Sequence, residues 1–143
     1  MVVYKLEPKV KAMISKARVA RLSTVDNDQP HAVPVVFIFN RRYFFIPLDK
    51  KSKSVKPEKL RRVRNIVKNP RVALLIDEYK EDWNKLFFVM ILGKASIIGK
   101  EKNELLARVH KLLLTKYPQY KKVGIGDSCI MVDPQKVIFW KNK

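Results

Sequence analysis

The residues best suited to chemistry lie in Lys50-Lys51-Ser52-Lys53-Ser54-Val55-Lys56, directly ahead of Pro57 and a helix-forming stretch. Two hydroxyls alternate with lysines before a helix N-terminus. Backbone N–H groups, the positive end of the helix dipole and the lysine donors can converge there on an anion, as a phosphate requires. The same composition also suits a solvated basic loop. Pro34, within His31-Ala32-Val33-Pro34-Val35-Val36-Phe37, and Pro47, at the end of the next strand, form a second feature. Proline cannot donate to a ladder, so both mark strand edges or bulges. Two interrupted strand ends can leave backbone facing a flat ligand, or can simply be irregular edges. Trp83, in Glu81-Asp82-Trp83-Asn84, is a loop aromatic among charges that can stack on a ring or cap the core, and Trp140 has the same two readings.

Other chemistries lack their residues. The single cysteine, Cys129, sits in an apolar strand and reads as a buried thiol. One Cys and two distant histidines, His31 and His110, exclude a disulfide framework and argue against a metal centre. His110 lies in mid-helix; His31 opens a strand and reads as structural. Gly124-Ile125-Gly126 has neither the preceding strand nor the following helix of a nucleotide fingerprint.

The 143 residues carry 31 Lys and Arg against 13 Asp and Glu, a net charge of +18. Residues 50–71 hold ten basic residues and one acid, half of that excess. An anionic partner follows: a phosphorylated cofactor, a nucleic acid or an acidic surface. No Phe, Tyr or Trp occurs in that window, so base stacking has no platform there. Charge alone gives salt-sensitive, non-specific binding. The expectation is therefore no specific nucleic-acid partner. No apolar run reaches the ~18–20 residues of a membrane span, and no signal-peptide core precedes Lys9, so no membrane partner and a cytoplasmic location are expected.

These residues must be positioned by one domain over 1–143. The pattern predicts a helix over Pro8 to Lys16, a strand from Arg18 to Val25, a turn at Asp26 to Gln29, a strand from His31 to Phe39, and a turn into Tyr43-Phe44-Phe45-Ile46. Those three strands read as an antiparallel meander. Pro57 to Lys68 is predicted helical, with Leu60, Val63, Ile66 and Val67 as its apolar stripe, stopped by Asn69-Pro70. Strands follow at Arg71 to Asp77 and Leu86 to Ile98, bent at Gly93, then a helix over Lys100 to Tyr117 with Leu105, Leu106, Val109, Leu112 and Leu113 on one face. Cys129 to Val132 and Lys136 to Trp140 are predicted as two strands joined by an Asp133-Pro134 turn. The sum is a mainly β fold of about seven antiparallel strands with added helices, a closed barrel or sandwich.

Ala17-Arg18-Val19-Ala20-Arg21-Leu22-Ser23-Thr24-Val25-Asp26 followed by Pro30-His31-Ala32-Val33-Pro34-Val35 resembles the opening strands of the pyridoxamine 5'-phosphate oxidase-like split-barrel proteins. Leu60-Arg61-Arg62-Val63-Arg64-Asn65-Ile66 with Asn69-Pro70-Arg71-Val72-Ala73-Leu74 is similar to their helix and next strand. Asp77-Glu78-Tyr79 with Glu81-Asp82-Trp83 resembles the deazaflavin-dependent branch. The likeness spans Ala17 to Ile98, and more weakly extends through Trp140. It implies a six- to eight-stranded antiparallel split β-barrel (an FMN-binding split barrel) that works as a homodimer. It also implies FMN or coenzyme F420 (8-hydroxy-5-deazaflavin) at the subunit interface.

On this chain the resemblance places the ring against Val33, Pro34, Val35 and Val36, and against Ile46, Pro47, Leu48 and Asp49. It places the phosphate at Lys50, Lys51, Ser52 and Lys53, helped by Arg61 or Asn65, with Trp83 available for stacking. The implied activity is hydride transfer to or from a small organic substrate. The alternatives are a cofactor carrier without turnover and, third, a basic nucleic-acid-binding module. The oxidase's C-terminal signature, a Trp followed later by an Arg, is not matched: Trp140 is followed by Lys141-Asn142-Lys143. That departure argues against pyridoxamine-phosphate oxidation itself. No catalytic acid or base is identified; in such enzymes the cofactor carries the hydride chemistry.

Overall fold

The structure, a computed structural model, describes residues 6–48 and 56–142. Helix α1 (Pro8–Lys16) opens on a proline, whose missing N–H costs nothing in a first turn, and buries Val10 and Ile14. Strand β1 (Ala20–Asp26) turns into β2 (Gln29–Val35) through Asn27 and Asp28, both at positive φ. Two left-handed residues are what a two-residue hairpin turn needs, and Asn and Asp tolerate them better than other side chains. Strand β3 (Ile38–Asn40) turns into β4 (Tyr43–Pro47) with Arg41 at φ +60°. Then come a 3-10 turn at Pro57–Lys59, α2 (Arg61–Lys68), β5 (Arg71–Glu78), β6 (Phe87–Ile98), α3 (Asn103–Lys116), α4 (Tyr120–Val123) and β7 (Cys129–Lys141).

All pairings are antiparallel, in the order β2-β1-β5-β6-β7-β4-β3. The two edge strands, β2 and β3, are consecutive in the chain. Only Val36 and Phe37 separate them, so the sheet rolls until its edges meet at that corner without a ladder between them. The expected split barrel is thereby formed. The expected meander is not. The single strand from His31 to Phe39 breaks at Val36-Phe37, because its first half pairs with β1 while its second half pairs with β4, whose other side belongs to β7. Pro34 is tolerated because β2 is an edge.

A second correction concerns the C-terminus. Cys129 to Lys141 is one strand, not two. Leu92 pairs with Lys136 and Gly93 with Pro134, so Gln135 is the extra residue of a bulge where a turn was expected. The bend expected at Gly93 coincides with this shift. A Cβ on Gly93 would run into the Asp133 carbonyl, so the close approach of β6 and β7 requires glycine there.

Two apolar cores result. One fills the barrel with Leu22, Phe44, Ile46, Leu74, Ile91 and Val132, and takes in Val10 and Ile14 of α1 and Val63 and Ile66 of α2. The other packs Leu106, Val109, Leu113 and Tyr117 of the α3 region against Ile38, Phe45, Ile98 and Cys129. Each fully buried Leu, Ile or Val there contributes about 1.5–3 kcal/mol. The α2 stripe differs from expectation at one position: Val67 is 73% exposed, and Asn65 turns inward instead. Leu112 is likewise exposed on α3. Among the described residues no helix is long and apolar enough to cross a membrane.

Candidate functional site

A cleft of about 260 Å³ opens where the barrel is split. Its lining comes from Val19 ahead of β1, Pro34 and Val35 of β2, Val36 of the joint, Pro47 at the end of β4, Arg62 of α2 and Tyr120 of α4. Pro34 faces Arg21 across the β1–β2 ladder, and Pro47 faces Cys129 across β4–β7. Neither proline carries an N–H, so neither strand end offers a backbone donor to the cleft at these two positions.

The joint that forms this wall is fastened from behind. The Tyr117 hydroxyl accepts the Phe37 N–H at 3.3 Å and lies 3.1 Å from the Phe37 carbonyl and 3.0 Å from the Arg18 carbonyl, to either of which it can donate. Lys116 Nζ donates to the same Phe37 carbonyl at 3.1 Å and sits 3.9 Å from the Phe37 ring centroid. Arg18 donates to the Lys116 carbonyl at 2.7 Å and lies over the Tyr117 ring. Burial, with Arg18 nearby, lowers the Lys116 ammonium to about 8; burial raises Tyr117. Tyr120 meets Tyr117 edge-on at 6.4 Å.

Helix α2 carries Arg62 to the cleft because its inner face is anchored. Asn65, 1% exposed, donates its side-chain amide to the Thr24 hydroxyl at 2.9 Å, also buried, and Val63 and Ile66 enter the barrel core. Arg61 turns the other way and pairs with Asp26 at 3.3 Å.

The structure thus brings Pro34, Val35, Val36 and Pro47 together around one cavity. Val33 pairs with Leu22 and stands half-buried outside that lining. Leu48 is fully buried in the barrel core, its N–H donated to the Ser128 carbonyl. Asn65 is engaged by Thr24 and Arg61 by Asp26. Trp83 is 64% exposed, with its indole N–H on the Tyr79 hydroxyl and its carbonyl taken by Asn142, away from the cleft lining. Asp49, Lys50, Lys51, Ser52 and Lys53 lie outside the described residues, although both flanks of their segment, Pro47 and α2, border the cleft. Sequence reasoning missed Val19, Arg62 and Tyr120. Arg62 was within reach: it is the arginine next to Arg61 on an amphipathic helix. Tyr120, in a short turn after Pro118, carried no signal.

Remaining candidates are accounted for by their neighbours. Cys129 is buried and its thiol is pushed up to about 12, so it is inert as a nucleophile. His110 Nε2 lies 3.0 Å from the Gly126 carbonyl. Trp140 stacks on Phe88 at 5.8 Å. The cleft's lining fits a flat, anion-bearing ring system: a proline and valine wall for the ring, and an arginine beside it for negative charge.

The family model described as Pyridoxamine 5'-phosphate oxidase matches residues 6–141. Solved structures with the same fold include a conserved hypothetical protein of Mycobacterium tuberculosis (TM-score 0.76, 18% identity, 97% of this chain and 86% of that one). HutZ, the heme storage protein of Vibrio cholerae, superposes with TM-score 0.73 at 18% identity over 97% and 98% of the two chains. An FAD-binding protein of Mesorhizobium loti does so with TM-score 0.66 at 16% identity over 96% of each. No curated protein matches by sequence. With a family match over nearly its whole length and the split barrel it builds, the chain belongs to the pyridoxamine 5'-phosphate oxidase family.

Proposed function

We propose that the chain is a flavin- or deazaflavin-dependent oxidoreductase that binds FMN or coenzyme F420 in the cleft and passes hydride to or from a small organic substrate. One observation carries this reading: Pro34, Val35, Val36 and Pro47 form one wall of a cleft at the barrel split that Arg62 also lines. The ring would lie on that wall, and Arg62 would hold negative charge. When bound, the cofactor supplies the hydride chemistry. The chain's own part is to hold the ring and exclude water from it. Among the described residues the lining is Val19, Pro34, Val35, Val36, Pro47, Arg62 and Tyr120. An FAD-binding neighbour adds support at the level of fold, a fold that the heme storage neighbour shares.

The reading includes a second copy of the chain. At about 260 Å³ the cleft falls below the ~300 Å³ at which small-molecule pockets begin, so a flavin-sized ligand needs another wall. The outer face of β5, β6 and β7 carries Leu75, Met90 and Ile138 in one cross-strand row, with Phe88 and Trp140 in a neighbouring one. A contiguous apolar sheet face of this kind suits a two-fold partner. The wide basic surface would then attract polyanions only weakly and in a salt-sensitive way.

The test is the absorption spectrum of the purified protein after loading with FMN or with 8-hydroxy-5-deazaflavin, before and after adding a hydride donor. Stoichiometric binding of one of them, bleached on reduction and restored by an organic acceptor, is expected. Binding without any bleaching or turnover would favour a carrier. No binding of either would overturn the reading.

A further inference from the structure

A second cleft, of about 400 Å³, lies at the Arg71–Lys94 end of β5 and β6, beyond the Leu75–Met90–Ile138 row, and shares no residue with the first. It is lined by Arg71, Val72, Leu92, Gly93, Lys94 and Gln135. Arg71 and Lys94 are direct cross-strand partners on β5 and β6, both exposed. Like charges in that position repel. Among the described residues neither side chain meets a carboxylate. The nearest acid in the ladder, Asp133, pairs with Lys94 in register, but its carboxylate is held by Arg42, with contacts of 3.0 and 3.3 Å from one guanidinium nitrogen. The bulge then places its extra residue, Gln135, beside the two cations. Bulges re-aim side chains in this manner at binding sites.

We propose that this cleft is an anion-binding site that takes the phosphate of a small phosphate-bearing molecule. A phosphate dianion matches the two positive charges and removes their mutual repulsion. The Arg71 guanidinium offers a planar fork for two of its oxygens, Lys94 a point charge for a third, and Gln135 a neutral amide. Val72, Leu92 and Gly93 form a floor for the carbon portion of an ester, and the cleft is larger than a bare phosphate needs. The site stands whether or not the first cleft holds a flavin.

The test is titration of inorganic phosphate into the 15N-labelled protein with its first cleft loaded, followed by amide NMR. Saturable shifts at Arg71, Leu92, Lys94 and Gln135 are expected. Arg71→Gln and Lys94→Gln should each weaken binding by roughly tenfold or more. Gln135→Ala is a milder variant. The absorption spectrum of the cofactor should not change in any of them. A parallel titration with phenyl phosphate separates the two sources: tighter binding than inorganic phosphate marks an ester as the ligand, equal binding marks free phosphate, and both uphold the site. In the absence of phosphate, Lys94→Gln should melt no lower than the parent, because it removes a repulsion. Shifts that never saturate, or equal affinity in the Arg71→Gln/Lys94→Gln double variant, would overturn the proposal.

Discussion

The Tyr117 hydroxyl serves both backbone groups of Phe37, accepting its N–H at 3.3 Å and standing 3.1 Å from its carbonyl. One side chain at the end of α3 thus satisfies the residue at which the rolled sheet changes edge. Phe37 is fully buried and its joint has no ladder, so these groups would otherwise lack partners supplied by a sheet. Tyr117→Phe keeps the ring and removes the hydroxyl. It should cost about 1–3 kcal/mol, the penalty for leaving a buried donor unsatisfied. Urea unfolding measures this. Because Val36 precedes Phe37 in the cleft wall, cofactor affinity should fall as well; full affinity with reduced stability would detach the clamp from the site.

Asn65 and Thr24 form an isolated buried polar pair. Thr24→Val leaves the Asn65 amide without its acceptor and should destabilise by about 1–3 kcal/mol. Replacing both, Thr24→Val with Asn65→Leu, should recover much of that loss, since no buried polar group then remains. A double-mutant cycle by chemical denaturation reads the coupling. Additive losses would show that the hydrogen bond itself contributes nothing.

Arg61 and Arg62 are neighbours with opposite assignments. Arg62 lines the cleft, and Arg61 pairs with Asp26 at a mostly exposed position. Arg62→Gln should weaken FMN or deazaflavin binding by roughly tenfold to a hundredfold, the value of one charge-assisted contact. Arg61→Gln should shift stability by no more than about 1 kcal/mol, as surface ion pairs do, and leave cofactor affinity nearly intact. Val35→Trp should fill the cleft and block binding. Equal loss from both arginines, by fluorescence titration, would shift the anion's position along α2.

Much of this was legible in the residues. The period of α1 gave its limits, and the stripe of Leu106, Val109 and Leu113 gave the helix that covers the second core. Pro34 and Pro47 announced strand ends, and they do border one cavity. Three things were not legible, each for a physical reason. Val35-Val36-Phe37-Ile38 is a continuous apolar run, and only the competition between β1 and β4 for partners decides that it breaks. Asp133-Pro134 has the composition of a turn, yet proline is also accepted at a bulge, and nothing local separates the two. Asn65 looks like a surface helix residue until Thr24 is seen beneath it.

Lys116 gives the fold a pH dependence whose sign can be worked out. Burial is the main cause of its lowering from 10.5 to about 8, and the positive Arg18 adds to it; the Phe37 carbonyl and ring favour the charged form and only partly offset this. Below pH 8 the side chain is charged in both folded and unfolded chains, and the folded state carries the full cost of confining that charge. Between about 8 and 10.5 the unfolded chain binds more protons than the folded one, so this residue makes stability rise with pH across that window. Tyr117, raised above 10.0 by burial, keeps its hydroxyl protonated over most of the same range. The quantity to measure is a difference between the parent and a variant that lacks this ammonium. The stability of the parent minus that of Lys116→Met should climb between pH 8 and 10, and the 13Cε resonance of Lys116 should titrate near pH 8. A flat difference, with the resonance titrating near 10.5, would mean that the ammonium is fully hydrated and does not hold the Phe37 joint.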